Sequence, residues 1–138
     1  MDGVFDLFHR GHLEAIKKVR REAGEDGSVI IGVVSDKDAY SYKRWPIICE
    51  TDRVEIISNI KDVDEVIFPC PMAVDKEFLN KHNIDMVVHG FADEKDFENQ
   101  KPFFSDIIAL NKFKFQEYYR GVSTSDIIQR IISNYKKN

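Results

Sequence analysis

Apolar residues along this chain follow first one period and then another. Leu13, Ile16, Val19 and Ala23 recur every three or four positions, the spacing of one helix face, and Gly24-Glu25-Asp26-Gly27 ends that pattern. Ser28 to Ser35 is a nearly continuous β-branched run, as expected of a strand buried on both faces. Residues 36–52 lose any period and are polar, which predicts an irregular segment. A helix is expected from Thr51, a candidate cap, with Val54 to Ile60 carrying its apolar positions. Glu65-Val66-Ile67-Phe68 predicts a third short strand, closed by Pro69 and Pro71. Asp75 to His82 predicts a helix with Phe78 and Leu79 inward, and Ile84 to Gly90 a fourth buried strand. Residues 91–102 are acidic and broken, the pattern of a surface loop, and Phe103 to Asn111 predicts a helix. Lys112 to Tyr119 alternates as a fifth strand with Phe113 and Phe115 inward. A turn over Gly121 to Asp126 leads into a last helix, where Ile127, Ile128, Ile131, Ile132 and Tyr135 form an amphipathic stripe.

Strand and helix alternate throughout, and successive strands joined by helices run parallel through right-handed crossovers. The expected fold is therefore α/β: a single Rossmann-like, doubly wound domain over residues 1–138 with one mainly parallel five-stranded sheet. Only Met1 precedes the opening motif, so the first strand is expected to be short. In such sheets ligands bind beyond the carboxyl ends of the strands. The polar motifs collect at those ends: His9 and His12, then Ser35 and Asp36, then His89 and Gly90, then Ser123-Thr124-Ser125.

Composition narrows this picture rather than changing it. At 138 residues, with 43% hydrophobic and 32% charged residues, the chain has the make-up of an ordinary globular domain. A net charge of −4 argues against a broad nucleic-acid footprint. No window approaches the roughly 18–20 apolar residues of a membrane span. Cys49 and Cys70 have no metal spacing and are expected as free thiols in a reducing compartment, which points to the cytoplasm.

The chemistry concentrates in residues 2–12. His9 and His12 stand where a strand, a turn and a helix N-terminus meet, with Gly11 between them. First-turn N–H groups are unpaired and the helix dipole is positive there, so the junction suits an anion. Two imidazoles add donors that change charge near neutral pH. A zinc pair is the other chemistry open to such histidines, but it needs further ligands that neither cysteine is placed to give. The expected occupant is a triphosphate, with no protein-held metal.

The string Gly3-Val4-Phe5-Asp6-Leu7-Phe8-His9-Arg10-Gly11-His12 resembles the Gly-x-Phe-Asp-x-x-His-x-Gly-His motif of the cytidylyltransferase family. Val63-Asp64-Glu65-Val66 is similar to the family's Val-Asp-Glu-Val segment, and Gly121-Val122-Ser123-Thr124-Ser125-Asp126-Ile127-Ile128 to its Gly-Ile-Ser-Thr-Ser-Asp-Ile-Ile. The likeness is strongest to the cholinephosphate and ethanolaminephosphate enzymes. It implies transfer of CMP from CTP to phosphocholine or phosphoethanolamine with Mg²⁺, giving a CDP-alcohol and pyrophosphate. A glycerol 3-phosphate enzyme and a nucleotide-binding module with weakened turnover are the alternatives.

The resemblance implies that His9, His12 and Lys43 are catalytic. It assigns nucleotide contacts to Gly3, Val4, Phe5, Asp6, His89, Gly90, Arg120, Gly121, Ser123, Thr124 and Ser125, the last three also suiting helix N-capping. Asp36, Arg53, Met72 and Phe91 are expected near the acceptor. Three departures from the family stand out: Tyr118-Tyr119-Arg120-Gly121 in place of Arg-Thr-Glu-Gly, Phe91 and Ala92 in place of an acidic pair, and Met72 in place of a tryptophan. A quaternary ammonium favours aromatic rings, which Phe91, Tyr40 or Trp45 can offer. Relatives pair through the His-x-Gly-His helix and the Val-Asp-Glu-Val segment, so a homodimer is expected, with no nucleic-acid partner. Only three residues follow Tyr135, so no membrane-regulatory helix is expected within this chain.

Overall fold

The computed structural model describes residues 1–137. It contains β1 (Asp2–Gly3), α1 (Arg10–Ala23), β2 (Ile30–Val33), α2 (Asp36–Tyr42), α3 (Glu50–Ser58), β3 (Glu65–Ile67), α4 (Lys76–His82), β4 (Val87–Phe91), α5 (Glu94–Ala109), β5 (Phe113–Glu117) and α6 (Thr124–Lys137). All strand pairs are parallel, as the alternation of strand and helix requires. The five strands form two sheets, β1-β2-β3 and β4-β5, rather than the single sheet expected. With two residues, β1 has few ladder groups, and those it has face β2, where Asp2 lies opposite Gly32. The contact to the other sheet is made by side chains instead, Asp2 Oδ1 to His89 Nδ1 at 2.8 Å.

Two apolar clusters hold the layers. Ile16 and Val19 of α1 and Ile57 of α3 pack against Val29, Ile31 and Val33, with Phe5 and Val88 completing the cluster. Leu79 of α4 and Phe104 and Ile107 of α5 pack on Val87 and Phe91 of β4. Phe113 joins this cluster, but Phe115, two residues further along the edge strand β5, is 55% exposed.

Three boundaries differ from expectation. Residues 36–42, expected to be irregular, are helical: Ser35 Oγ accepts from the Asp38 amide at 3.2 Å, and Asp36 and Asp38 favour the positive end of the helix dipole. With only Asp36 and Ala39 buried, α2 leaves almost no apolar period to read. Helix α3 starts at Glu50 with Cys49 at its cap position, so Thr51 lies inside the first turn. The predicted acidic loop over residues 91–102 is the end of β4 and the first half of α5. Asp93 caps α5, and Phe97, Gln100, Phe104 and Ile107 keep one inward face straight through Pro102. Proline costs a helix one hydrogen bond, and the buried aromatic face offsets it.

The last helix keeps its stripe, but Ile131, Ile132 and Tyr135 face solvent. Among the described residues, no helix is long and apolar enough to cross a membrane.

Candidate active site

The turn between β1 and α1 is tightly wound. Phe5 (φ 56°) and Leu7 (φ 48°) both adopt left-handed backbone, uncommon for bulky side chains and maintained only where surroundings over-determine it. The surroundings here are the buried Phe5 ring and the Asp6 carboxylate. Asp6 is 4% exposed and accepts from the amides of Leu7 (3.0 Å), Ile47 (2.8 Å) and Ile48 (2.8 Å). It staples the turn to the loop that follows α2.

His9 and His12 cap α1 reciprocally. His9 Nδ1 accepts from the Gly11 amide at 3.0 Å, and His12 Nδ1 accepts from the His9 amide at 3.3 Å. A Cβ on Gly11 would lie 2.7 Å from the His9 ring, so glycine is needed for this close approach. Accepting at Nδ1 places the proton of each neutral ring on Nε2. His9 Nε2 then donates to Thr124 Oγ1 (3.2 Å), whose own proton goes to the Asp6 carbonyl (3.1 Å). Among the described residues the His12 Nε2–H has no partner, and His12 borders the cavity. The rings stack with centroids 3.9 Å apart. Burial, then the neighbouring His9 and Lys43 charges, push the His12 pKa down to about 3 against the pull of Asp6, and burial lowers His9 as well. Both histidines are neutral donors at neutral pH.

They open onto a cavity of about 610 Å³, within the usual size of small-molecule sites. Gly3, Val4, Phe5, Asp6, Lys43, His89, Gly90, Ser123, Thr124 and Ser125 all border it, so the motifs spread along the chain converge as the sheet architecture requires. Lys43 closes α2 and stands exposed on the rim. Its ammonium pKa is lowered, chiefly by desolvation and further by Arg44, with Asp96 opposing. An exposed lysine nevertheless keeps its charge at neutral pH. Ser123 does cap the last helix, accepting from the Asp126 amide at 3.1 Å.

The opposite wall has different chemistry. His89 points Nδ1 at Asp2 Oδ1 (2.8 Å) and Nε2 at Gln100 Oε1 (3.3 Å), and Gln100 Nε2 donates to Asp96 Oδ1 (2.7 Å). Two acceptors facing one ring match an imidazolium, which donates from both nitrogens. Burial pushes the Asp2 carboxyl up, but the His89 charge and hydrogen bond pull it down further, leaving it below the ordinary carboxylate value. Tyr42 and Tyr118 border the same wall. Burial and nearby carboxylates raise both phenols, Tyr118 to about 12, so both keep their protons. The Tyr118 ring lies against Gly90, where a Cβ would come within 2.8 Å of it.

Several residues expected at the site are elsewhere. Arg53 is 0% exposed and all three of its guanidinium nitrogens are engaged: Nε donates to the Ile48 carbonyl (2.9 Å), Nη1 to those of Val4 (2.7 Å) and Val34 (2.9 Å), and Nη2 to Asp36 (2.7 Å). Arg53 and Asp36 are therefore a buried clamp behind the site, not acceptor contacts. Phe91 is 3% exposed, stacked on Phe113 and Phe115 and met edge to face by Phe97 and Phe104. Met72 borders a separate small pocket behind Tyr42 and takes a hydrogen bond from Ser41 Oγ at 3.4 Å. Tyr40 and Trp45 meet edge to face on the surface, away from the cavity wall. The Arg120 side chain is 88% exposed beside Glu117, and neither it nor Gly121 borders the cavity.

In their place stand Tyr42, Arg44, Asp96, Gln100 and Tyr118, and Asp2 from the opening motif. Tyr118 is legible as a departure and Asp2 lies within the opening stretch, whereas Asp96 and Gln100 carry no local signal.

Residues 1–130 match the family model described as cytidylyltransferase-like. This chain belongs to that family. It is 35% identical over 139 residues to choline-phosphate cytidylyltransferase 2 of Arabidopsis thaliana, covering 99% of this chain and 45% of the relative. It is 32% identical over 140 residues to ethanolamine-phosphate cytidylyltransferase of the same plant, covering 96% of this chain and 31% of the relative. The chain thus spans less than half the length of these curated relatives. A crystal structure of the lipopolysaccharide core biosynthesis protein of Thermoplasma volcanium shares the fold, with TM-score 0.64 and 24% identity over 86% of this chain and 92% of the other. A Rossmann-like α/β architecture is common to both.

Proposed function

We propose that this cytidylyltransferase-like chain transfers CMP from CTP to phosphocholine or phosphoethanolamine. A phosphate oxygen of the acceptor attacks the α-phosphorus in line. The new P–O bond forms as the bond to the bridging α–β oxygen breaks, and pyrophosphate leaves. Such transfer needs positioning and charge stabilisation rather than a covalent protein intermediate.

The observation that carries this reading is the polarity of the cavity. One end presents the His12 Nε2–H and the N-terminus of α6, both suited to phosphate oxygens, and the Lys43 ammonium stands between the ends, 5.7 Å from the centre of the Tyr42 ring. The other presents Asp96 and the Tyr42 and Tyr118 rings, suited to a cation. A phosphorylated amino-alcohol has both features. Glycerol 3-phosphate lacks the cation and fits only the first end.

Magnesium enters the proposal with the nucleotide. Among the described residues no three His, Cys, Asp or Glu side chains converge on a metal position, and the Asp6 carboxylate already takes three amides. Mg²⁺ would be held mainly by the triphosphate's oxygens and water, with one or two carboxylates of the cavity wall at most. We further propose a homodimer formed around α1 and β3, acting in the cytoplasm, where Cys49 and Cys70 stay reduced as the free thiols they are.

Pyrophosphate release, measured with each nucleoside triphosphate against phosphocholine, phosphoethanolamine and glycerol 3-phosphate, tests the reading. CTP with an amino-alcohol phosphate is expected to react. His9→Ala and His12→Ala are each expected to lower kcat by about 10²–10³. Turnover with glycerol 3-phosphate alone, or unchanged rates in both variants, would refute the assignment. CTP binding without turnover on any acceptor would favour the non-catalytic module.

A further inference from the structure

We propose that Arg44 is the guanidinium that holds the triphosphate of CTP in this chain. The inference rests on the CTP reading above. A triphosphate carries several negative charges, yet the two histidines at the phosphate end are neutral and four carboxylates, Asp2, Asp6, Asp93 and Asp96, border the same cavity. His89 is committed to Asp2 and Gln100, so positive charge for the phosphates must come from lysine or arginine. Among the described residues, Lys43 and Arg44 are the only such side chains on the cavity wall.

The other arginines near the motifs have acidic partners. Arg10 pairs with Glu14, Arg20 with Asp64, Arg53 with Asp36 and Arg120 with Glu117. Arg44 has no acidic partner among the described residues, and it is exposed at the rim. An unpaired arginine beside an unpaired lysine is a poor arrangement for stability and a good one for a phosphate chain, since an anion removes their mutual repulsion. The guanidinium fork also binds two phosphate oxygens at once, which an ammonium cannot do.

Arg44 is held in register with the histidines. The Lys43 amide bonds to the Ala39 carbonyl at 3.0 Å at the end of α2. Three residues beyond Arg44, the Ile47 amide bonds to Asp6, which belongs to the same turn as His9 and His12. Between these anchors Pro46 is buried against the cavity. The strap is short and fastened at both ends, so its two cations cannot wander far from the imidazoles. Arg120, nearer to the family's arginine position in sequence, does not border this space.

Steady-state kinetics of pyrophosphate release on Arg44→Ala, Arg44→Lys and Arg120→Ala test the proposal. Arg44→Ala is expected to raise the KM for CTP at least tenfold, equivalent to about 1.4 kcal/mol, and to leave the acceptor KM within twofold. Arg44→Lys is expected to fall between it and the wild type, and Arg120→Ala to match the wild type. A KM for CTP within twofold in Arg44→Ala, or an equal rise in Arg120→Ala, would overturn it. Thermal melting confirms that the variants fold; if Arg44→Ala does not, Arg44→Lys with wild-type KM overturns it. Should the wild type bind CTP without turnover, calorimetry reads the same ratios as Kd. A wild type that does not bind CTP at all sinks both this inference and the reading beneath it.

Discussion

Each Nδ1 of the His9–His12 pair accepts a backbone amide, which commits the rings to one tautomer before any substrate arrives. Thr124 and Asp6 complete the commitment for His9, so a hydroxyl expected at the phosphates acts here by orienting a histidine. Neutrality has a thermodynamic signature. Between the ordinary histidine value of 6.5 and about 3, the unfolded chain binds a proton at residue 12 that the folded chain refuses. Acidification through that window therefore favours unfolding. His12→Gln removes this linkage, so its urea stability is expected to fall less steeply from about pH 6.5 to about pH 4 than that of the wild type. Parallel slopes would contradict the neutral assignment.

At the scale of elements, the Arg53–Asp36 clamp joins four pieces of chain: the turn after β1 through Val4, the end of β2 through Val34, the start of α2 through Asp36, and the loop before α3 through Ile48. Removing the guanidinium leaves three carbonyls without that partner and a largely buried carboxylate without its counter-charge. Arg53→Ala is expected to cost about 3–5 kcal/mol in equilibrium unfolding. A loss under about 1 kcal/mol would show that the clamp is dispensable. An arginine at the start of a helix reads from sequence as a surface or substrate residue, because its acceptors lie 5 to 49 positions away and none is visible locally. Helix α2 and the first half of α5 escaped for related reasons. The first has only one turn's worth of buried residues, and the second runs through Pro102 on the strength of aromatic packing that forms only when β4 and β5 pair.

The whole molecule is two parallel sheets with a cavity at the carboxyl ends of their strands. Segments from β1, α2, β4, α5 and the start of α6 reach it, so no single stretch of chain contains the site. The proposed homodimer belongs to this scale. Arg20 of α1 bonds Asp64 ahead of β3, tying together the two segments around which the dimer is proposed, and Phe68 beyond β3 is exposed. A three-residue edge strand with an exposed aromatic at its end is a natural place for a second copy. Sedimentation equilibrium at micromolar concentration is expected to give about twice the 16.1 kDa chain mass. A monomer there would remove the dimer from the proposal.

Local sequence determined the opening motif, the alternation of strand and helix, and the capping of α1. Those features arise from hydrogen bonds and side-chain periods that act within a few residues. The same locality made His9, His12 and the Ser123-Thr124-Ser125 turn legible. Tertiary structure alone decided that Asp6 staples a loop, that Arg53 and Phe91 are buried, that Arg120 faces solvent, and that Tyr42, Asp96 and Tyr118 come together on the cavity wall. A charged or aromatic side chain has no fixed destination in a local pattern. Where it goes depends on which strand or helix comes to lie beside it.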